Sequence, residues 1–179
     1  MGLRMARDSD AAALAALMWQ AMPEVVAFWT GSDDEAVGKA FLERWCAARG
    51  NLYSYENTIV FEEEGVVAAS ITGYDGALWQ ALRAPIAAAT GRTLPDETEA
   101  GEWYVDTVSV APALQGRGMG KTMLAAFADH VRARGGSRVG LLVSLDKVAA
   151  KGLYERVGFV VAGEKALAGE RYFHMVLEF

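Results

Sequence analysis

The chain has 179 residues, of which 53% are hydrophobic and 22% charged, and its formal net charge is −6. One domain is the default at this length, and the composition excludes a disordered chain. The acidic balance argues against non-specific nucleic-acid binding.

A single cysteine, Cys46, excludes an intramolecular disulfide, and the two histidines, His130 and His174, show no ligand spacing, so no metal site is expected. No basic n-region precedes an apolar run at the N-terminus, so no signal peptide is expected. The longest early uncharged run, Ala11 to Pro23, is too short to span a bilayer. These features point to a reduced, cytoplasmic, globular domain without a membrane or nucleic-acid partner.

In chain order, Gly2 to Ala6 reads as a short strand. Asp8 or Ser9 then caps an amphipathic helix to about Ala21, with Leu14, Leu17 and Met18 on one face. Pro23 ends it or starts the next piece, and Val25 to Thr30 is apolar. Ser32 or Asp33 caps a second helix to about Arg49, with Val37, Phe41 and Trp45 inward and Gly50 as its stop. Asn57 to Glu62 and Val66 to Gly73 form a hairpin around Glu63-Glu64-Gly65. Tyr74 to Gly101 interrupts the strands with a helix around Ala77 to Ala89 and a polar loop from Gly91, a length of loop that is usually functional or mobile.

Glu102 to Val110 is a strand rich in aromatic and β-branched residues, broken by Ala111-Pro112. A glycine turn, Gln115 to Gly120, leads into a helix, Lys121 to Arg134, with Met123, Leu124, Phe127 and Val131 at helical spacing. Then follow a strand (Arg138 to Leu145), a helix (Lys147 to Val157, capped by Asp146) and strands at Phe159 to Ala162 and Arg171 to Phe179. In the last strand Phe173, Met175, Leu177 and Phe179 share one face and Tyr172, His174, Val176 and Glu178 the other.

The turn between strand and helix is suited to a phosphate. Free N–H groups at a helix start and the positive end of its dipole attract an anion, and glycine lets the backbone approach it closely. A P-loop needs glycine where Gln115 stands, and a dinucleotide fingerprint from Gly116 needs glycine where Lys121 stands. The pattern Gln/Arg-x-x-Gly-x-Gly/Ala fits Gln115, Gly118 and Gly120 without a mismatch.

That pattern resembles the pyrophosphate loop of the GCN5-related N-acetyltransferase (GNAT) superfamily. Val108-Ser109-Val110-Ala111-Pro112 resembles the family's strand end. Ala150 with Leu153-Tyr154-Glu155-Arg156-Val157-Gly158-Phe159 resembles its second signature, and the element order agrees. The specific likeness covers Glu102 to Ala162. It implies a mixed α/β sheet in one GNAT domain over residues 1–179, with a helical insert at about 74–101, and direct acetyl transfer from acetyl-CoA to a primary amine. A non-catalytic acyl-CoA-binding module is the alternative.

By resemblance, the backbone of Val108, Ser109 and Val110 meets the pantetheine arm. Gln115, Gly116, Arg117, Gly118, Met119, Gly120, Lys121 and Thr122 cradle the pyrophosphate, and Arg117 adds positive charge. Tyr154 looks like the family's general acid, a phenol able to protonate a departing thiolate. The family often has asparagine seven residues earlier; here it is Lys147, which implies a charged contact, and Lys151 could make a similar one.

An amine of pKa about 10.4 is neutral in only roughly one molecule in two thousand at pH 7, so a base is needed. Glu102, Tyr104 and Asp106 alternate onto one strand face, which makes Glu102 and Asp106 the base candidates. The closest alignment puts Tyr104 on the family's glutamate and leaves the base unassigned. The acceptor pocket is expected from the N-terminal helices, the insert and the last hairpin, with Trp19, Phe28, Trp29, Tyr53 and Trp79 as candidate linings. The acceptor is a small-molecule or peptide amine, and the resemblance leaves a homodimer open.

Overall fold

The computed structural model describes residues 2–167 and 169–179. Seven strands form one mixed sheet in the order β1-β2-β3-β4-β5-β7-β6. The strands are β1 Gly2–Met5, β2 Thr58–Glu63, β3 Val66–Asp75, β4 Trp103–Val110, β5 Arg138–Ser144, β6 Val160–Leu167 and β7 Glu170–Glu178. The helices are α1 Ala11–Ala21, α2 Pro23–Thr30, α3 Glu35–Ala47, α4 Trp79–Thr90, α5 Met119–Arg132 and α6 Val148–Val157.

The sheet separates two cores. On one face Leu14, Met18, Val26, Trp29, Leu42, Trp45 and Ile86 from α1–α4 pack with Val60, Tyr74 and Tyr104 from the sheet. On the other, Met123, Leu124, Phe127 and Val131 of α5 pack on Ile71, Val105, Val139 and Leu141, with Leu153, Tyr154 and Val157 of α6 at the margin. Burying each large side chain of this kind stabilises by about 1.5–3 kcal/mol.

Local chemistry sets most element ends. Glu64 and Gly65 both have positive φ, 52° and 81°, as a tight two-residue hairpin turn requires. Asp34, rather than Ser32 or Asp33, caps α3, its carboxylate accepting from Val37 N at 3.0 Å. The buried face of α3 is Gly38, Leu42, Trp45 and Cys46, and Val37 is 45% exposed, contrary to the expected inward face. Proline sits at the start of α2, so Pro23 begins a separate helix. β6 runs five residues past the expected Ala162, to Leu167. It is an edge strand exposed along most of its length, so no alternation of apolar residues marks it.

The register between β3 and β4 shifts at one point. Thr72 lies opposite Thr107 and Gly73 opposite Val105, so Asp106 is the extra residue of a β-bulge. Gly73 allows this close packing, because a Cβ there would lie 2.4 Å from Phe127 Cζ and 2.6 Å from the Tyr104 carbonyl oxygen. Gly73→Ala is therefore expected to destabilise the chain by about 1–3 kcal/mol. Urea unfolding measures this; an unchanged midpoint would show that β4 yields freely at the bulge.

Candidate active site

Strands β4 and β5 pair, in parallel, only at Trp103–Val105 against Val139–Leu141. Beyond Val105 they part. β5 stays in the sheet because Leu142, Val143 and Ser144 pair with His174, Phe173 and Tyr172 of β7. On its other edge β4 continues against β3 to Val110. Ala111 N donates to Ala68 O at 2.8 Å, which sets the alternation. Thr107 and Ser109 direct their backbone groups to β3, and Val108 and Val110 direct theirs into the gap. Val110 O accepts there from Gln115 Nε2 at 3.0 Å. Ser109, expected among the residues that meet the ligand, instead turns its backbone to β3, and its hydroxyl is buried without a hydrogen-bond partner.

The glycine turn stands at the end of this gap. Gly116 and Gly118 have φ of 73° and 83°, and open space surrounds the place where each would carry a Cβ. Gly118 is the N-cap of α5, so the amides of Met119, Gly120 and Lys121 precede the first helical bond, Thr122 N to Gly118 O. Gly120 packs against α6, where a Cβ would come within 2.9 Å of Leu153 Cδ2. Gln115, Gly116, Arg117, Gly118, Lys121 and Thr122 are exposed and Met119 is half-buried. This geometry fits an anionic diphosphate: open glycines, free helix-start amides and two nearby cations.

Tyr154 lies on α6, half-buried against Phe159 with ring centroids 5.9 Å apart. Burial raises its hydroxyl pKa, so the phenol keeps its proton at neutral pH. Lys147 is the N-cap of α6, and its Nζ reaches Ala21 O at 3.4 Å, at the end of α1. Lys151 pairs instead with Glu155 on its own helix. Cys46 is buried beside Met18 Sδ at 3.7 Å, and burial pushes its thiol up to about 12, so it is inert.

The two base candidates have different surroundings. Asp106, at the bulge and half-buried, accepts from Tyr74 Oη at 2.7 Å. Burial pushes it up to about 6, against the pull of that hydrogen bond. Glu102 is fully buried. Its Oε1 accepts from Glu99 N at 2.8 Å and its Oε2 lies 3.0 Å from His174 Nε2. Its carboxyl sits over Gly140, where any Cβ would lie 2.3 Å from Oε2. Glu102 therefore ties the loop before β4 to β5 and β7.

Among the described residues, Glu99, Glu102 and His174 bring ligand-type atoms within 4.8 Å of one another. The two nitrogens of His174 face different carboxylates, Nδ1 toward Glu99 at 3.4 Å and Nε2 toward Glu102. Lys165 and Arg138 stand 3.6 and 3.9 Å from these acids. The cluster is an ion-pair network with its own positive charge.

A further carboxylate, Glu97, comes from the loop between α4 and β4. It is half-buried, and Tyr104 Oη donates to its Oε2 at 2.7 Å. The loop is pinned from three sides. Lys165 Nζ donates to Glu97 O and Thr98 O at 3.0 and 3.3 Å. Thr98 Oγ1 donates to Gly76 O at 3.1 Å, and Arg83 donates to Leu94 O. Burial and then the nearby Asp106 carboxylate push Glu97 up to about 8, while Tyr104, Lys165 and Arg83 pull the other way. Sequence reasoning missed Glu97 because it stands in an aperiodic polar stretch. The local signal was only that a long loop precedes β4.

Of the expected pocket linings, Trp29, Tyr53 and Trp79 are fully buried core residues, with Trp29 Nε1 donating to Tyr53 Oη at 2.9 Å. Trp19 and Phe28 are partly buried at the edge of the same core. His130 is half-buried, stacked on Phe127 with centroids 6.1 Å apart. Among the described residues no single helix is long and apolar enough to cross a membrane.

The parted sheet, with its glycine turn capping a helix at the mouth of the gap, is the fold of an acyl-CoA N-acyltransferase. Residues 14–159 match the Acetyltransferase (GNAT) family, and the chain belongs to that family. A mycothiol acetyltransferase of Gordonia bronchialis is 46% identical over 67 residues, which cover 37% of this chain and 21% of that protein. N-alpha-acetyltransferase RimI of Mycobacterium tuberculosis is 47% identical over 73 residues, 41% of each chain. The aligned segments thus span about a fifth of the first relative and two fifths of the second. A crystal structure of an acetyltransferase superposes with a TM-score of 0.82 at 27% identity over 99% of both chains.

The raised proton affinity of Glu97 makes stability depend on pH. The folded chain holds a proton that the unfolded chain releases, from the ordinary value of 4.5 up to about 8. This stabilisation is complete below about 4.5 and is lost as pH rises through about 8. Glu97→Gln cannot titrate. Its melting temperature is expected to gain on the wild type across that window and level off above it; parallel curves would show that Glu97 titrates normally.

Proposed function

We propose that this chain is an N-acetyltransferase that moves the acetyl group of acetyl-CoA directly to a primary amine. The observation that carries this reading is the parted sheet: Val108 and Val110 turn backbone groups away from β3 into a gap that ends at an open glycine cradle. Acetyl-CoA, when bound, supplies a thioester carbonyl and a thiolate leaving group. The backbone of Val108 and Val110 binds the pantetheine amides. The amides of Gly116 to Lys121 bind the pyrophosphate, aided by Arg117 and Lys121.

An N–H of Val108 or Val110 facing the gap stabilises negative charge on the thioester oxygen as the amine attacks. Asp106, at the bulge where the gap opens, is the carboxylate best placed to take the amine's proton. Tyr154 gives its proton to the departing sulfur. The names of the mycothiol acetyltransferase and the N-alpha-acetyltransferase are compatible with either a small-molecule or a peptide amine as acceptor.

Thiol release from acetyl-CoA tests the reading, with a panel of a diamine, an aminoglycoside, an amino acid and a tripeptide with a free N-terminus. Transfer to at least one is expected. Tight CoA binding with no transfer to any amine would make the chain a binding module, and stabilisation by ATP but not CoA would overturn the cradle assignment. Tyr154→Phe is expected to lower kcat at least about tenfold with little change in the KM for acetyl-CoA. An unchanged kcat would remove Tyr154 from the chemistry.

A further inference from the structure

We propose that Glu97, carried by the loop between α4 and β4, joins Asp106 in a two-carboxylate site that binds the acceptor amine as its ammonium ion and takes its proton. The proposal rests on the transferase reading. Its observations are separate: two half-buried acids brought to one sheet face from different elements, each oriented by one tyrosine. Tyr74 donates to Asp106 Oδ2 and Tyr104 donates to Glu97 Oε2, both at 2.7 Å. Each carboxyl thus has one oxygen committed and a second to offer.

Tyr74 and Tyr104 are neighbours, with ring centroids 6.1 Å apart, and Asp106 is close enough for its charge to raise the proton affinity of Glu97. The groups that face the pair from other elements are few. Tyr53 is buried, and both acids raise its hydroxyl pKa after burial does. Tyr172 of β7 feels Glu97 together with Glu24, Asp146 and Glu170. Lys165 of β6 and Arg83 of α4 are the nearby cations, yet both spend hydrogen bonds on loop carbonyls. Glu102 stands beyond Tyr104, occupied by His174. The pair therefore has negative charge, a free oxygen on each member and no side-chain cation bonded to it.

An ammonium ion supplies what the pair lacks. One N–H bond breaks and its proton passes to a carboxylate oxygen of the pair. The freed lone pair forms the N–C bond to the thioester carbonyl as the C–S bond breaks. Tyr154 protonates the sulfur and regains a proton from solvent; the second nitrogen proton leaves to water, and the pair returns its proton to bulk.

The carboxyl resonances of the 13C-labelled chain test this. Two coupled titration steps of the pair are expected in the wild type, near 6 and near 8, with Glu97 carrying most of the upper one. Removing the neighbouring charge in Asp106→Asn should lower the Glu97 step. At pH 7 at least one amine of the panel should move both resonances. With an accepted amine, Glu97→Gln should cut kcat/KM for the amine at least tenfold and erase the upper step of its pH profile. Its KM for acetyl-CoA should hold, and Glu97→Asp should recover part of the loss.

The proposal is overturned by a Glu97 step that ignores Asp106→Asn, by resonances that no amine moves, or by Glu97→Gln with a wild-type pH profile. Calorimetry with acetyl-CoA judges the transferase reading separately. Absent binding there would end that reading, while the resonances would still decide the pair.

Discussion

The parting of β4 from β5 after Val105 is the constraint on which the rest of the molecule is arranged. An inner strand that loses its neighbour leaves backbone donors and acceptors that must find other partners, at about 1–3 kcal/mol for each one left buried and unsatisfied. The sheet limits the loss: β5 bonds to β7 through the open stretch, and β4 bonds to β3. What is left is one edge, Val108 and Val110, aimed at the gap that opens where the β4–β5 pairing ends. The start of α5 lies just beyond, so unpaired strand amides run on into unpaired helix amides. In the proposed reaction these bind the two polar parts of one extended molecule.

The bulge at Asp106 belongs to the same arrangement. Val105 faces α5, and after the extra residue Val108 and Val110 face α5 again, so the apolar face survives with its parity changed. Asp106 and Thr107 are then adjacent residues on a strand that would otherwise alternate. Asp106 can reach Tyr74 on the α1–α4 face while the backbone just past it turns to the gap. A regular strand could not place a carboxyl and two gap-facing valines in this relation. Gly73 is what lets β3 follow the bend, since Tyr104 O and Phe127 occupy the space a side chain would need.

Much of this was legible in the residues because it is local. The glycine turn, Tyr154 near the end of its helix and the order of strands and helices each rest on short-range preferences and periodicity. Even the bulge had a trace: Val105 and then Val108 and Val110 break the two-residue period. Glu97 had none. Its partners are Tyr104, seven residues away, and Lys165, sixty-eight away on an edge strand whose full length was also missed. Val37 failed for another reason. The inner face of α3 is Gly38, Leu42, Trp45 and Cys46, and Gly38, with no side chain to announce itself, takes the inner place under Trp19.

Glu97 and Glu102 lie on one loop and carry the same functional group, yet packing gives them different work. Glu102 has both oxygens engaged, by Glu99 N and by His174, over a glycine that leaves it just enough room. It has no exposed surface, and its network fixes the end of the loop where β4 begins. Glu97 has one oxygen on Tyr104, partial exposure and Asp106 as its electrostatic neighbour. Because Lys165 bonds both the Glu97 carbonyl and the Glu99 carboxylate, the anchored and the open parts of the loop share one tether. The two carboxyls of one loop thus divide its work: Glu102 is spent on holding the loop to β5 and β7, and Glu97 keeps an oxygen and some exposure at the sheet face.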